Sequence, residues 1–298
     1  MKYNSKSYKI FKIINISIMI IIIISTVYPY LNELLKSLSE KTYGMLGGIS
    51  FIPDKISFVN YETLFKSKSI KNAFFVSIGR TVLGTVLGVI VQFMAAYGLR
   101  KEMLRWRRAL LLFLIIPVYF NGGLIPTYIL YSRLTLLNNF FVYIIPGLFS
   151  YFNMIIIMAN MRSIPDSLID SAKLDGAGEF TVLWRIVFPL SKPILATITL
   201  WLAVGHWNDW VTTLMFTTSP RLSTLQYIVM QMIKESERME KMIQEAIKLG
   251  INPQVKVKTT RDSLRAAQII TTTLPIILIY PFLQKHFIKG VMVGAIKT

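Results

Sequence analysis

Six separate stretches of this chain are apolar over about 20 residues each, the length at which an α-helix crosses ~30 Å of hydrocarbon. They cover residues 10–31, 72–98, 109–131, 139–160, 194–216 and 266–287. A backbone at that depth has no water to bond to, so only helices satisfy it at this length. The predicted fold class is therefore all-α, a polytopic membrane protein with six transmembrane helices, taken as one domain over residues 1–298. Composition agrees, since 53% hydrophobic against 16% charged residues is too apolar for an ordinary soluble domain. The first stretch follows Lys2, Lys6, Lys9 and Lys12 in the manner of a signal peptide. No small-x-small cleavage site follows Ile24 and the stretch is long enough to span, so it reads as a helix that stays.

Zero cysteines exclude disulfides and thiolate chemistry, and two histidines leave little for a metal centre, so no cofactor or metal is expected in this chain. The net charge of +18 is not a nucleic-acid signal here, because the basic residues lie between the apolar runs as flanking charges.

Lys and Arg number 16 on each side of the expected membrane, with Arg80 inside a span completing the 33, so totals do not orient the chain. The short connection 99–108, LRKEMLRWRR, does: five positives in ten residues resist translocation, and short loops carry the rule. Both termini are expected in the cytoplasm. The outer pieces then hold nine acids against their 16 positives, an excess of +7 that hints at an anionic neighbour, whether a ligand, a partner face or lipid head groups. The outer loop 217–263 contains an amphipathic run, 223–249, with Leu225, Ile228, Val229, Met232 and Ile233 on one face. Ser223 is expected to cap it and Gly250 to end it. It suits either a helix flat on the bilayer or a partner surface. The other outer loop, 32–71, is mixed enough to fold but carries no recognisable chemistry.

Residues 164–193, IPDSLIDSAKLDGAGEFTVLWRIVFPLSKP, form a polar segment between two apolar runs. Pro165 suits a helix start with Ser163 as cap, a short helix is expected over 166–174, and Gly176 permits the left-handed turn that ends it. Ser171, Ala172 and Ala177 are small enough to let another protein approach, and Asp170, Asp175 and Glu179 offer it carboxylates.

The spacing in this segment resembles the EAA loop of ABC-importer permeases: Asp170, Ser171 and Ala172, three residues, Gly176, nine residues, Ile186, one residue, then Phe188 and Pro189. Asp170 stands for the pattern's Glu, Ser171 for its first Ala and Phe188 for its Leu. FNGGLIPTY at 120–128, AYGLRK at 96–101, WND at 207–209 and YPFLQKHFIKGVMVGAIK from 280 are similar to the carbohydrate-uptake, maltose-type branch, and more narrowly to the subgroup importing polysaccharide-derived oligosaccharides. The resemblance covers residue 10 to the end.

It implies the transmembrane domain of a type I ABC importer in the bacterial cytoplasmic membrane. This chain would pair with a homologous second permease, two ABC ATPase subunits would bind below with ATP and Mg, and an extracytoplasmic solute-binding protein would dock above. Residues 163–192 would be the cytosolic coupling loop, with Pro165, Leu168, Asp170, Ser171, Ala172, Asp175, Gly176, Ala177, Ile186 and Pro189 meeting the ATPase; the tail 289–298 would reach the ATPase dimer. Tyr227, Gln231 and Lys234 would contact the binding protein. The chain has no GxxxxGK[ST]; GVMVGAIKT at 290–298 has the wrong spacing, so the motor must be another polypeptide.

Polar groups inside spans face cavities or partner helices. Arg80 and Asp209 are such groups, free to pair with each other, and Trp207 and Asn208 beside Asp209 suit either a sugar contact or an interfacial aromatic belt. Asn121 and Gly122, with Gly123, interrupt the third run between Pro117 and Pro126, as a transport site or a packing kink would. Tyr128 and Asn153 complete the candidate substrate pathway. The competing classes are a stand-alone secondary transporter or channel, which would need its own ion-coupling residues, and an intramembrane enzyme, for which no nucleophile–base pair is visible.

Overall fold

In a computed structural model of the chain, residues 6–39, 56–101, 104–120, 122–249, 263–279 and 281 are described. Among them the secondary structure is helical, apart from one isolated bridge between Ser39 and Ile56. The helices are α1 (Lys6–Ser37), α2 (Val59–Lys66), α3 (Lys68–Arg100), α4 (Arg107–Tyr119), α5 (Leu124–Arg133), α6 (Tyr151–Met161), α7 (Asp166–Leu174), α8 (Glu179–Asn208), α9 (Val211–Phe216), α10 (Leu225–Lys248) and α11 (Ser263–Ile279).

Three of the six expected spans are continuous helices long and apolar enough to cross a membrane, namely α1, α3 and α8. Two more are bent. The third run breaks into α4 and α5, which meet at 117°. Pro117 stays inside α4, and the break comes after Tyr119, where Gly123 takes φ +83°. The fourth run is helical only over α6; before it the chain makes two 3-10 turns, Phe140–Tyr143 and Ile145–Gly147, bent 47° from α6. The second turn carries Pro146 and Gly147, which disfavour a regular α-helix. The sixth run appears as the 17-residue α11, starting three residues before the run; of its remainder residue 281 alone is described, and Gly250 and the tail 289–298 lie outside the described residues.

The fifth run differs most from expectation. Its helix starts at Glu179, not near 194, and stops at Asn208, so half of segment 164–193 belongs to α8. Pro189 cannot donate to the carbonyl of Arg185, which would interrupt a regular α-helix there. The helix absorbs it with a π-helical turn at Leu183–Val187. The extra residue in that turn lets both Val182 and Val187 stay buried.

Two compact units divide the chain: Met1–Lys68 with Gln231–Leu274, and Ser69–Met230 with Pro275–Thr298. In the first, α1 is exposed from residue 6 to residue 31, as a helix apolar on every side is when lipid is its solvent. Its end is capped by α2: buried Asn60 donates its side-chain amide to the carbonyls of Ser37 (3.0 Å) and Ser39 (2.9 Å), and Ser37 Oγ lies 2.7 Å from Tyr61 OH.

The second unit is built on α3. Phe93, Ala96 and Leu99 of α3 pack against Met154, Ile157, Met158 and Met161 of α6, Ile169 of α7, and Val182, Val187, Leu195 and Ile198 of α8. The α6 set repeats at i, i+3, i+4 and i+7, one face of a helix. Towards the other end of α3 a smaller cluster gathers Leu136, Val142, Tyr143 and Ile144 with Phe216. There Asn138, at φ +54°, accepts from the backbone N–H of Thr218 (2.6 Å) and Ser219 (3.1 Å), tying the 134–139 turn to the end of α9. The first turn of α10 is fixed from α3, whose Ser77 Oγ accepts from Leu225 N at 2.8 Å. Thr224 Oγ1, not Ser223, is its own cap, accepting from Tyr227 N at 3.4 Å.

Candidate functional site

Two groups of polar side chains flank α3, one at its C-terminal end and one around Arg80, well inside its first half. The first surrounds α7. Pro165 is extended (φ −58°, ψ 131°) and ends the preceding turn, so α7 starts at Asp166. Ser163 does not cap it; its hydroxyl donates to Asn160 O at 2.7 Å. Ile169 is buried and Ala172 packs on the core, which leaves Leu168, Asp170 and Ser171 exposed on the other side. The left-handed Gly176 (φ +83°) closes the helix, with Gly176 N bonded to Lys173 O (3.0 Å) and Ala177 N to Ala172 O (2.9 Å). Asp175 and Pro189 are exposed and Ile186 half-buried. Ala172 and Ala177 are partly buried and pack against this chain's own core.

Charges hold α7 to its neighbours. Arg100, the last residue of α3, pairs with Asp166. Glu179, the first residue of α8, accepts from Tyr97 OH (2.6 Å), Lys101 Nζ (2.6 Å) and Lys173 Nζ (3.1 Å). Tyr97, Arg100, Lys101, Asp166 and Lys173 border a cavity of about 740 Å³ lined also by Arg162 and Asp170.

In the second group Arg80, 2% exposed, pairs with Asp209 at the end of α8. Its Nη1 donates to the Asp209 carbonyl at 2.6 Å, its Nη2 to the Asp209 carboxylate, and its guanidinium carbon lies 4.6 Å from the centre of the Tyr143 ring. Asp209 is held further by Thr212, through Thr212 N to Oδ1 (3.0 Å) and Thr212 Oγ1 to Oδ2 (2.5 Å). A cavity of about 360 Å³ opens here, lined by Arg80, Tyr143, Trp201, His206, Asp209 and Thr212 among others.

Of the expected pathway residues that are described, only Arg80 and Asp209 meet in this cavity. Trp207 is buried and turns to an apolar groove shared with Phe74, Ile78 and Ile276, while Asn208 is exposed outside both. Asn153 is buried in the first turn of α6, whose start Ser150 caps. Tyr128 stacks on Phe216 with ring centres 6.2 Å apart, Gly122 is exposed, and Asn121 lies outside the described residues. Tyr227 is partly buried, and Gln231 and Lys234 are exposed on α10.

Sequence reasoning missed His206, Trp201, Tyr143 and Leu174. His206 sits in a notch of small residues: a Cβ on Gly84 would fall 2.5 Å from its Nε2, and one on Gly147 3.1 Å from its Cε1. The available signal was Gly84 one turn from Arg80 on the buried face of α3. Leu174, 90% exposed at the tip of α7, was visible as an apolar residue without a core to join. No group of three or more metal-ligating side chains occurs among the described residues.

Long apolar helices carrying a short, partly exposed helix at one end define a polytopic membrane protein. The chain belongs to the family described as binding-protein-dependent transport system inner membrane component, which matches residues 84–293. It is 32% identical to Protein LplC of Bacillus subtilis over 295 residues, 99% of this chain and 97% of that protein. It is 31% identical to the polygalacturonan/rhamnogalacturonan transport system permease protein YtcP of the same organism, covering 91% of this chain and 92% of YtcP. Among solved structures it is similar to a bacterial ABC transporter involved in the import of the acidic polysaccharide alginate (TM-score 0.82, 29% identity, 96% of this chain and 100% of that one). A second chain, from the bacterial alginate ABC transporter in complex with alginate pentasaccharide-bound periplasmic protein, shares the fold at TM-score 0.60 and 14% identity, covering 95% of this chain and 96% of that one.

The chain is thus a multi-pass permease subunit of an ABC importer. It works with a binding protein, a second permease and separate ATPase subunits, and is not itself an enzyme. Membership decides against a stand-alone transporter or channel.

Proposed function

We propose that this permease carries polysaccharide-derived oligosaccharides, acidic ones included, from a solute-binding protein into the cytoplasm by alternating access. ATP and Mg are bound by the partner ATPase, both termini lie in the cytoplasm, and α7 is the handle through which the ATPase moves the spans. The observation that carries this reading is α7 itself: nine residues with one buried face and an exposed face of Leu168, Asp170, Ser171 and Leu174, ending on a left-handed glycine. The short basic connection 99–108 supports the cytoplasmic assignment for that end. The acidic cargo is supported by the similarity to an alginate importer and a polygalacturonan permease, and by the outer excess of positive charge.

Gly176→Glu tests the handle. A side chain at φ +83° is strained wherever space allows it, and a charge there meets the ATPase face. Stimulation of ATP hydrolysis by the sugar-loaded binding protein should vanish in the assembled complex, while the isolated ATPase still hydrolyses ATP. Unchanged stimulation would remove α7 from the coupling path.

A further inference from the structure

Arg80 is a buried cation only partly used by its partner. Asp209 takes both Nη groups, yet Arg80 Nε is buried without a hydrogen-bond partner among the described residues, and Asp209 is independently anchored by two bonds from Thr212. A buried donor of this kind is costly to leave unpaired and is available to an acceptor that enters beside it. The cavity beside it has the furnishings of a sugar site. Trp201 is 43% exposed and braced by Phe152, with ring centres 6.3 Å apart; His206 and Thr212 supply polar edges. Its volume of about 360 Å³ lies near the lower limit of ligand pockets, ~300 Å³, and so suits a single ring better than a chain.

We infer that this cavity is a subsite for one pyranose ring of the passing oligosaccharide and that Arg80 reads the ring's carboxylate. This deepens the acidic-oligosaccharide reading and rests on it. A carboxylate arriving at Arg80 takes Nε and one Nη as a two-pronged acceptor, which the planar guanidinium fork favours. Asp209 gives up Nη2 but keeps its two bonds from Thr212, so no anion is stranded. The ring stacks on Trp201, and a uronide is thereby distinguished from the neutral sugar of the same shape.

The test uses the complete transporter in proteoliposomes with its binding protein, and two probes: trigalacturonate and its carboxyl-reduced counterpart. Arg80→Gln should lower the uptake ratio of acidic to reduced probe by roughly tenfold, the size expected for one lost charge-assisted hydrogen bond. Arg80→Lys, which keeps the charge without the fork, should recover only part of that ratio. If Arg80→Gln prevents assembly, Trp201→Ala, a change at a half-exposed position, carries the test by raising KM for both probes. A ratio that does not move in Arg80→Gln, or a KM unchanged in Trp201→Ala, overturns the subsite while leaving the oligosaccharide function standing. Wild-type complex that imports neither probe overturns the acidic-cargo reading, and the subsite with it.

Discussion

At the scale of single residues, α3 is a strip of deliberate absences as much as of contacts. Ala73, Ser77, Gly84 and Gly88 lie on its buried face, and the space they leave is taken by His206 at Gly84 and Leu202 at Gly88. Gly84→Ala would set a methyl 2.5 Å from the imidazole, so the ring or the helix must move. We expect a loss of about 1–3 kcal/mol, the usual cost of overpacking a core, read as a lower thermal midpoint of the purified complex. Gly98→Ala is the control, since nothing lies within 4 Å of the added carbon; it should be neutral or gain up to about 1 kcal/mol from helix propensity. Equal behaviour of the two variants would contradict the notch. Little of this was legible beforehand. Arg80 and Asp209 were recognisable because charge inside an apolar run is rare, but their pairing joins positions 129 residues apart. His206 carried no such mark: a lone imidazole near the end of an apolar run looks like any interfacial residue until the glycines facing it are known.

Elements follow the same division between local and distant causes. The limits of α7 and the turn at Gly176 were readable because proline, glycine and helix periodicity act over a few residues. The start of α8 was not, since only the packed structure reveals that a π turn carries the helix past Pro189. The breaks in the third and fourth runs fall where Gly123, Pro146 and Gly147 act on segments apolar on most sides, for which hydropathy alone gives no boundary. The Glu179 network links three elements, α3 through Tyr97 and Lys101, α7 through Lys173, and α8 through Glu179 itself. Its carboxylate is near half exposed, so each pair is worth at most ~1 kcal/mol. Glu179→Gln should accordingly weaken coupling without abolishing it: fold and assembly stay intact, and sugar uptake per ATP hydrolysed falls severalfold. Unaltered stoichiometry would show that α7 needs no tether to α3.

For the molecule as a whole, α3 and α8 are joined at two places, by Arg80 with Asp209 at one and by Tyr97 and Lys101 with Glu179 at the other. The α7 end and the Arg80 cavity are thus linked through two helices rather than through loops. The polytopic architecture and the dependence on an external motor were legible from apolar runs, the spaced loop pattern and the missing nucleotide motif. The cavity beside Arg80 was not, because it depends on which faces of three distant segments converge. Since the chain contains no cysteine, a single introduced thiol reports without background. The most direct test of the central claim is cross-linking to the ATPase in the assembled transporter from Leu174→Cys at the tip of α7, compared with Arg133→Cys at the end of α5. The account predicts an ATPase adduct from position 174 and none from position 133; an adduct from 133, or none from 174 in a transport-competent complex, would contradict it.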